Sequence, residues 1–280
     1  MKMLFGVFAV AGLRLLPSAR NIMGAWSSLR YNRYTIDILD KADDVKAELK
    51  EASSERLSFD DKIELRNLSF RFDNGTHETL HNLSLTIAKG EKVGINGESG
   101  AGKTTLLNIL LGLYSPTEGG LYVDGKQLCG EELRKWQNSI GYVSQSTFLT
   151  DSTILSNIAL GCDEKDIDMA QVEQCIEAAS LSEFVASLPN GIHTRIGECG
   201  ALLSGGQRQR IGIARALYKQ ADILFFDEAT SSLDNATEQS INSAIERLSS
   251  SNSELTIVVV AHRDSSLGYC DRIITLEKTN

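Results

Sequence analysis

The stretch GESGAGKTT, Gly97 to Thr105, restricts this chain more than any other, because few backbone paths suit it. Gly97, Gly100 and Gly102 omit side chains where the chain must curl tightly and reach positive φ. The successive N–H groups of Glu98, Ser99, Gly100, Ala101, Gly102 and Thr105 then form a cradle for the β- and γ-phosphates of a nucleotide. The positive end of a helix starting near Lys103 reinforces it. Lys103 adds a point charge against those phosphates, and the Thr104 hydroxyl is placed to ligate Mg²⁺. The flanks fit such a loop: Glu91–Ile95 reads as an apolar strand before it, and Lys103–Leu113 as an apolar-faced helix after it. A fold with a parallel α/β core follows.

A second element supports the same chemistry. Ile223–Phe226 is a run of four apolar residues, suited to a parallel strand buried on both faces, and it ends in Asp227-Glu228. The carboxyl ends of such strands are where open α/β sheets bind ligands. Asp227 is placed to hold magnesium, directly or through water, and Glu228 to polarise an attacking water as general base. Taken alone, the pair reads equally well as an acidic turn after a core strand. A third element, LLSGGQRQR from Leu202 to Arg210, puts Ser204, Gly205, Gly206 and Gln207 at the start of a helix running to about Lys219. Small residues at a helix start offer a further anion site.

With LSGGQ between a phosphate loop and an acid-tipped apolar strand, the chain resembles the ATP-hydrolysing domain of ABC transporters from Lys62 to Lys278. The implied fold class is α/β: a P-loop NTPase cassette with a mainly parallel core sheet, an antiparallel β subdomain and a helical subdomain. The implied cofactors are ATP and Mg²⁺. By the same resemblance Gln145, in IGYVSQ, is the glutamine that touches the metal and reports to a membrane domain. His262, in VVVAHR, is the switch histidine on the γ-phosphate, although by itself it reads as a satisfied histidine at a strand end. Ser232-Leu233-Asp234 matches the loop that crosses the dimer interface. Phe72, in LSFRFD, falls where an aromatic ring stacks on adenine; tyrosine is usual there, and a plain core aromatic is the other reading. Ser204 and the Gly205 and Gly206 N–H groups would close on the γ-phosphate held by a second subunit. The implied assembly is therefore a head-to-tail dimer with the same or a similar cassette, joined to a transmembrane domain in cis or on another chain.

Composition narrows the class further. The chain has 280 residues, 42% hydrophobic, with a net charge of −9, a balance that argues against a nucleic-acid partner. Cys129, Cys162, Cys175, Cys199 and Cys270 are dispersed without CxxC pairing, which reads as reduced thiols with neither a metal nor a disulfide framework. At the N-terminus the apolar run Met3–Leu13 is broken by Arg14, short of the roughly 20 residues a membrane helix needs. A signal-peptide reading is set aside because it would send the ATPase to a compartment without ATP. Lys2, Arg14, Arg20, Arg30 and Arg33 precede any acid, whereas Tyr34 to Asp61 holds nine acids against four bases. Such a basic junction marks the cytoplasmic side of a membrane. A buried or amphipathic helix of a soluble protein is the competing reading.

The segment AGLRLLPSARNIMGAWSSLRYNRYTIDILD resembles the end of the last of six membrane helices of an ABC exporter and its cytoplasmic extension. Its LRLLPSARNI portion is most similar to exporters and flippases of lipid-linked oligosaccharides and polysaccharides. GIHTRIGECG, Gly191–Gly200, resembles the exporter loop before LSGGQ, with Cys199 where arginine or asparagine is usual. The resemblance thus implies a fragment, or the product of a split or truncated gene, working at the cytoplasmic face of the plasma (inner) membrane. Domains are expected at 1–56 (end of the last membrane helix, extension and linker) and 57–280 (ATP-binding), with a helical lobe at about 150–203 holding helices Met169–Ala179 and Leu181–Leu188. Short strands over Lys62–Ile95, turning near Asn74-Gly75, would cover the base, and Asn235–Leu248 would form an acidic, amphipathic surface helix. Two other functions stay open: a soluble ABC-type ATPase acting on DNA or ribosomes, which the acidic balance and apolar N-terminus disfavour, and a cassette that no longer serves a transporter, which lacks no catalytic residue.

Overall fold

The structure, a computed structural model, describes residues 2–48, 55–72, 75, 77–228, 235–251, 253–261 and 264–278. It divides into two compact units, Met1–Ser53 and Ser54–Asn280. The first is one helix, α1 (Lys2–Glu48), which continues through both Arg14 and Pro17. Among its described side chains, Leu13, Leu16, Ile22, Met23 and Trp26 are each at least 66% accessible. Among the described residues no helix is long and apolar enough to cross a membrane.

The second unit contains two sheets. β1 (Lys62–Phe70), β2 (Leu80–Ala88), β4 (Glu118–Val123) and β5 (Lys126–Gln127) form an antiparallel sheet in the order β2-β1-β4-β5. The strands expected across Lys62–Ile95 are two nine-residue strands and the start of a third, β3 (Lys92–Gly97). At the turn placed near Asn74-Gly75, Asn74 lies outside the described residues; the Gly75 N–H donates to Phe72 O at 2.8 Å. The β4–β5 hairpin was not foreseen. Its two-residue loop is Asp124-Gly125, with φ of 49° and 79°. Positive φ at both positions is the turn that matches strand twist, and Asp-Gly is its sequence signal.

The other sheet runs β6-β7-β8-β3-β9, from β6 (Ile140–Val143), β7 (Ile223–Asp227), β8 (Thr256–Val260) and β9 (Arg272–Leu276), with every neighbouring pair parallel. It separates two cores. Ile223, Phe225, Val258 and Val260 face the core shared with the antiparallel sheet and with α2 (Lys103–Leu110), where Leu106, Leu107 and Leu110 are buried. Leu224, Phe226, Ile257 and Val259 face the opposite core. Strand side chains alternate with period two, so a strand covered on both faces must be apolar at every position. Burying each such side chain contributes about 1.5–3 kcal/mol.

The opposite core is closed by helices. After α3 (Gly130–Ser139) come α4 (Ile154–Ile158), α5 (Met169–Ala178) and α6 (Ser182–Ser187), each shorter than a typical helix, and then α7 (Gly205–Tyr218). Thr153 caps α4 and Asp168 caps α5 by accepting first-turn N–H bonds. The two expected helices of this lobe are α5 and α6, each within a residue or so at its ends. α8 (Asn235–Ser251) runs beyond Leu248 and is amphipathic, burying Ile241 and Ile245 against the second core.

Residues 55–61 bind the cassette before its first strand begins. Leu57 and Phe59 are buried, and Phe59 meets the Trp136 ring edge-on at 6.1 Å. Trp136, fully buried, donates its indole N–H to Leu110 O at 2.8 Å. The Asp124 carboxylate accepts the N–H groups of Asp60, Asp61 and Lys62 at 2.8–2.9 Å. Burial raises the Asp124 carboxyl pKa, but those three bonds, with Lys89, outweigh it and hold the group below its ordinary value of 3.8. A carboxyl depressed by folding stabilises the fold above its unfolded pKa and loses that contribution as pH falls through the folded one. Asp124→Asn should therefore destabilise the protein fully at neutral pH. The gap from wild type should close as thermal unfolding is repeated below the ordinary carboxylate range.

Candidate functional site

The P-loop joins β3 to α2. Gly97 has φ 153°, and a Cβ there would sit 2.6 Å from Leu276 O of β9, so the loop must leave the sheet without a side chain. Gly102 precedes α2 with φ 90°, and its Cβ would press on Leu80 and Thr79. Glu98, Ser99 and Gly100 are exposed at the rim, Thr104 is exposed on the first turn, and Ala101 and Thr105 are buried beneath. The Asn96 side chain accepts the Gly97 N–H at 2.7 Å, which fixes the strand exit.

Lys103 is only 5% exposed. Its ammonium donates to Gly97 O at 2.7 Å and Glu98 O at 3.0 Å, so the cation lies under the loop. Burial lowers its pKa, and the Glu228 carboxylate opposes that shift. An ammonium held with two carbonyls and an acid nearby is poised to exchange those carbonyls for phosphate oxygens.

β7 delivers the acids. Asp227 ends the strand, and its Oδ2 accepts the Tyr142 hydroxyl at 3.2 Å. Burial raises the Asp227 pKa, the Tyr142 bond lowers it, and the neighbouring Glu228 charge raises it again. The phenol of Tyr142 is pushed up to about 12, by burial first and then by Asp227. Glu228 follows in the left-handed region, φ 47°, while its N–H donates to Val260 O at 2.9 Å. Such a backbone costs a glutamate about 1 kcal/mol or more, and strain of this kind clusters at functional sites. Gln145 reaches the same point from beyond β6, its Nε2 donating to Glu228 Oε2 at 3.2 Å.

The structure therefore brings Lys103, Gln145, Asp227 and Glu228 together at the carboxyl ends of β3, β6 and β7. The oxygen donors available are a hydroxyl, an amide and one strand-end carboxylate. Among the described residues no group of three or more His, Cys, Asp or Glu side chains could cage a metal. One or two carboxylates plus substrate phosphates are what Mg²⁺ uses, so the donor set fits that ion. His262 and Asp234 lie outside the described residues.

Phe72 is 46% exposed. It stands edge-on to Phe70 at 4.9 Å and to Tyr114 at 5.9 Å, and Phe70 and Tyr114 stack on each other. It is not a plain core aromatic. Sequence reasoning missed two contributors, Tyr114 and Tyr142; the outward position in IGYVSQ, between buried Gly141 and Val143, was the available signal for Tyr142.

Ser204 caps α7 with a reciprocal box: its Oγ accepts the Gln207 N–H at 3.2 Å, and Gln207 Oε1 accepts the Ser204 N–H at 2.8 Å. These bonds join Ser204 and Gln207 to each other. Gly205 and Gly206 occupy the first helical turn, where N–H groups have no helical acceptor.

The ABC transporter family model matches residues 80–231, more than half of the chain. The chain belongs to the ABC transporter family. An ATP-dependent lipid A-core flippase of Cupriavidus pinatubonensis is 43% identical over 211 residues, covering 75% of this chain and 35% of the flippase. A second such flippase, of Burkholderia pseudomallei, is 37% identical over 276 residues, 98% of this chain and 45% of the relative. A bacterial Atm1-family ABC exporter, solved with ATP bound, superposes with a TM-score of 0.72 at 36% identity over 81% of this chain and 40% of the exporter. The chain thus spans less than half the length of these relatives. The two sheets and the helices between them are the ABC cassette fold, as the motifs implied.

Ser204→Ala should cost about 1 kcal/mol of stability, the ordinary loss of an N-cap, as read by denaturant unfolding.

Proposed function

We propose that the cassette binds and hydrolyses ATP, and that it does so as half of a head-to-tail dimer powering export or flipping across a membrane. The observation that carries this reading is the meeting of Lys103, Gln145, Asp227 and Glu228 beside the P-loop.

In this reading the N–H groups from Gly97 to Thr105 and the Lys103 ammonium hold the β- and γ-phosphates, while Phe72 stacks on the base. Magnesium, when bound, neutralises phosphate charge; Thr104, Gln145 and Asp227 would hold it. Glu228 takes the proton of a water that attacks the γ-phosphorus, the bond to the β–γ bridging oxygen breaks, and ADP and phosphate leave. Gln145 orients Glu228 through the bond already present between them. His262 and Asp234 are assigned by motif to the γ-phosphate and the dimer interface. Ser204, Gly205, Gly206 and Gln207 complete the partner's site, because an open helix start favours the anion presented by the other subunit. ATP then closes the dimer and hydrolysis releases it, a clamp driven by differential affinity.

The longer lipid A-core flippase relatives support a membrane domain as the further partner, in cis or on another chain, and a cytoplasmic-face location at the inner membrane. They also favour a glycolipid substrate. The exposed apolar side chains of α1 and its basic residues support α1 as the end of a membrane helix and its extension.

Hydrolysis by the purified chain should rise more than linearly with protein concentration, because each site needs Ser204 of a partner. A rate per molecule that stays flat from dilute to concentrated solution, with the chain monomeric throughout by light scattering, would refute the shared site. Glu228→Gln should keep ATP binding, lose turnover and accumulate as a dimer in gel filtration. Turnover equal to wild type would show that Glu228 is not the base.

A further inference from the structure

Tyr142 sits on β6 directly beside Phe225 of β7 in the parallel ladder. Gly141 and Val143 are buried, and Tyr142 between them faces out, 40% exposed. From there its hydroxyl reaches the last residue of β7 and donates to Asp227 Oδ2 at 3.2 Å. The same ring forms part of the wall of a cavity of about 640 Å³, beside Leu113, Ile158, Leu160, Arg215 and Lys219. One side chain therefore touches both that cavity and the strand-end carboxylate.

An aspartate has two side-chain torsions, and without a second bond its carboxylate can present either oxygen. A neutral donor on Oδ2 removes that choice. It also offsets the repulsion from Glu228, the adjoining acid on the same strand end. Partners that orient a ligating carboxylate commonly contribute one to two orders of magnitude to metal affinity.

We propose that Tyr142 is a positioning residue for magnesium: its hydroxyl fixes Oδ2 of Asp227 and leaves Oδ1 as the metal-facing oxygen. This rests on the nucleotide-site reading above, and it assigns the tyrosine no contact with nucleotide. The hydroxyl, not the ring, carries the effect, so Tyr142→Phe isolates it while keeping the packing.

The test uses the full chain loaded with ADP, with Mn²⁺ binding followed by electron paramagnetic resonance. Tyr142→Phe should weaken Mn²⁺ affinity by about tenfold. ADP affinity measured in EDTA and the thermal unfolding midpoint should stay as in wild type. In an Asp227→Asn background, adding Tyr142→Phe should change Mn²⁺ affinity no further. Unchanged Mn²⁺ affinity in Tyr142→Phe, in a chain that binds ADP, overturns the Tyr142 assignment alone. An equal loss of ADP affinity in EDTA overturns it too, since a general disturbance of the site would then explain both. A wild-type chain that binds no ADP overturns the nucleotide reading and this assignment with it.

Discussion

The register of β7 between β6 and β8 is the constraint on which the site depends. Phe225 and Phe226 point into different cores, as do Ile257 and Val258 beside them. A slip of one residue would move every one of these side chains to the wrong face. With several fully buried residues at stake, each contributing about 1.5–3 kcal/mol, the strand has one acceptable position. Asp227 then emerges at the end of β7, level with Val260 and with the exit of β3 into the P-loop. Function is positioned here by apolar packing in the strand that carries the acids.

At that exit the polar groups compensate one another in close quarters. Lys103, buried, has carbonyls from its own loop and the field of Glu228. Asp227 is pushed toward its neutral form by burial and by Glu228, and held back by Tyr142. A site full of phosphate would meet a set of donors already oriented, which is the condition under which electrostatic stabilisation costs little reorganisation.

Much of this was legible because the motifs are local. The P-loop needs glycine where φ is positive, β7 needs an unbroken apolar run, and α7 starts at a run of small residues. Other parts were not read because they depend on partners distant in sequence. The Asp124-Gly125 turn carried its own signal, yet β4 has glycines at Gly119 and Gly120 that weaken it as a strand, and only pairing with β1 makes it one. Tyr142 looked like one more strand residue until Asp227, far along the chain, was beside it. The N-terminal helix was expected from its resemblance, and it runs unbroken through Arg14 because a charge interrupts an apolar run without interrupting backbone hydrogen bonds.

The segment from Glu55 to Asp61 is joined to three separate places. Arg56 donates to the carbonyls of Lys219 and Gln220 at the end of α7, the Leu57 N–H to Lys135 O of α3, and Asp60 and Asp61 to Asp124 at the β4–β5 turn. Its peptide groups and its two apolar side chains belong to the cassette's own interior and hydrogen-bond network. Physically, the folding unit starts ahead of its first strand. A chain begun at Lys62 would leave Trp136 uncovered on one side and strip the last carbonyls of the LSGGQ helix of their guanidinium, so trimming there cuts into the domain itself.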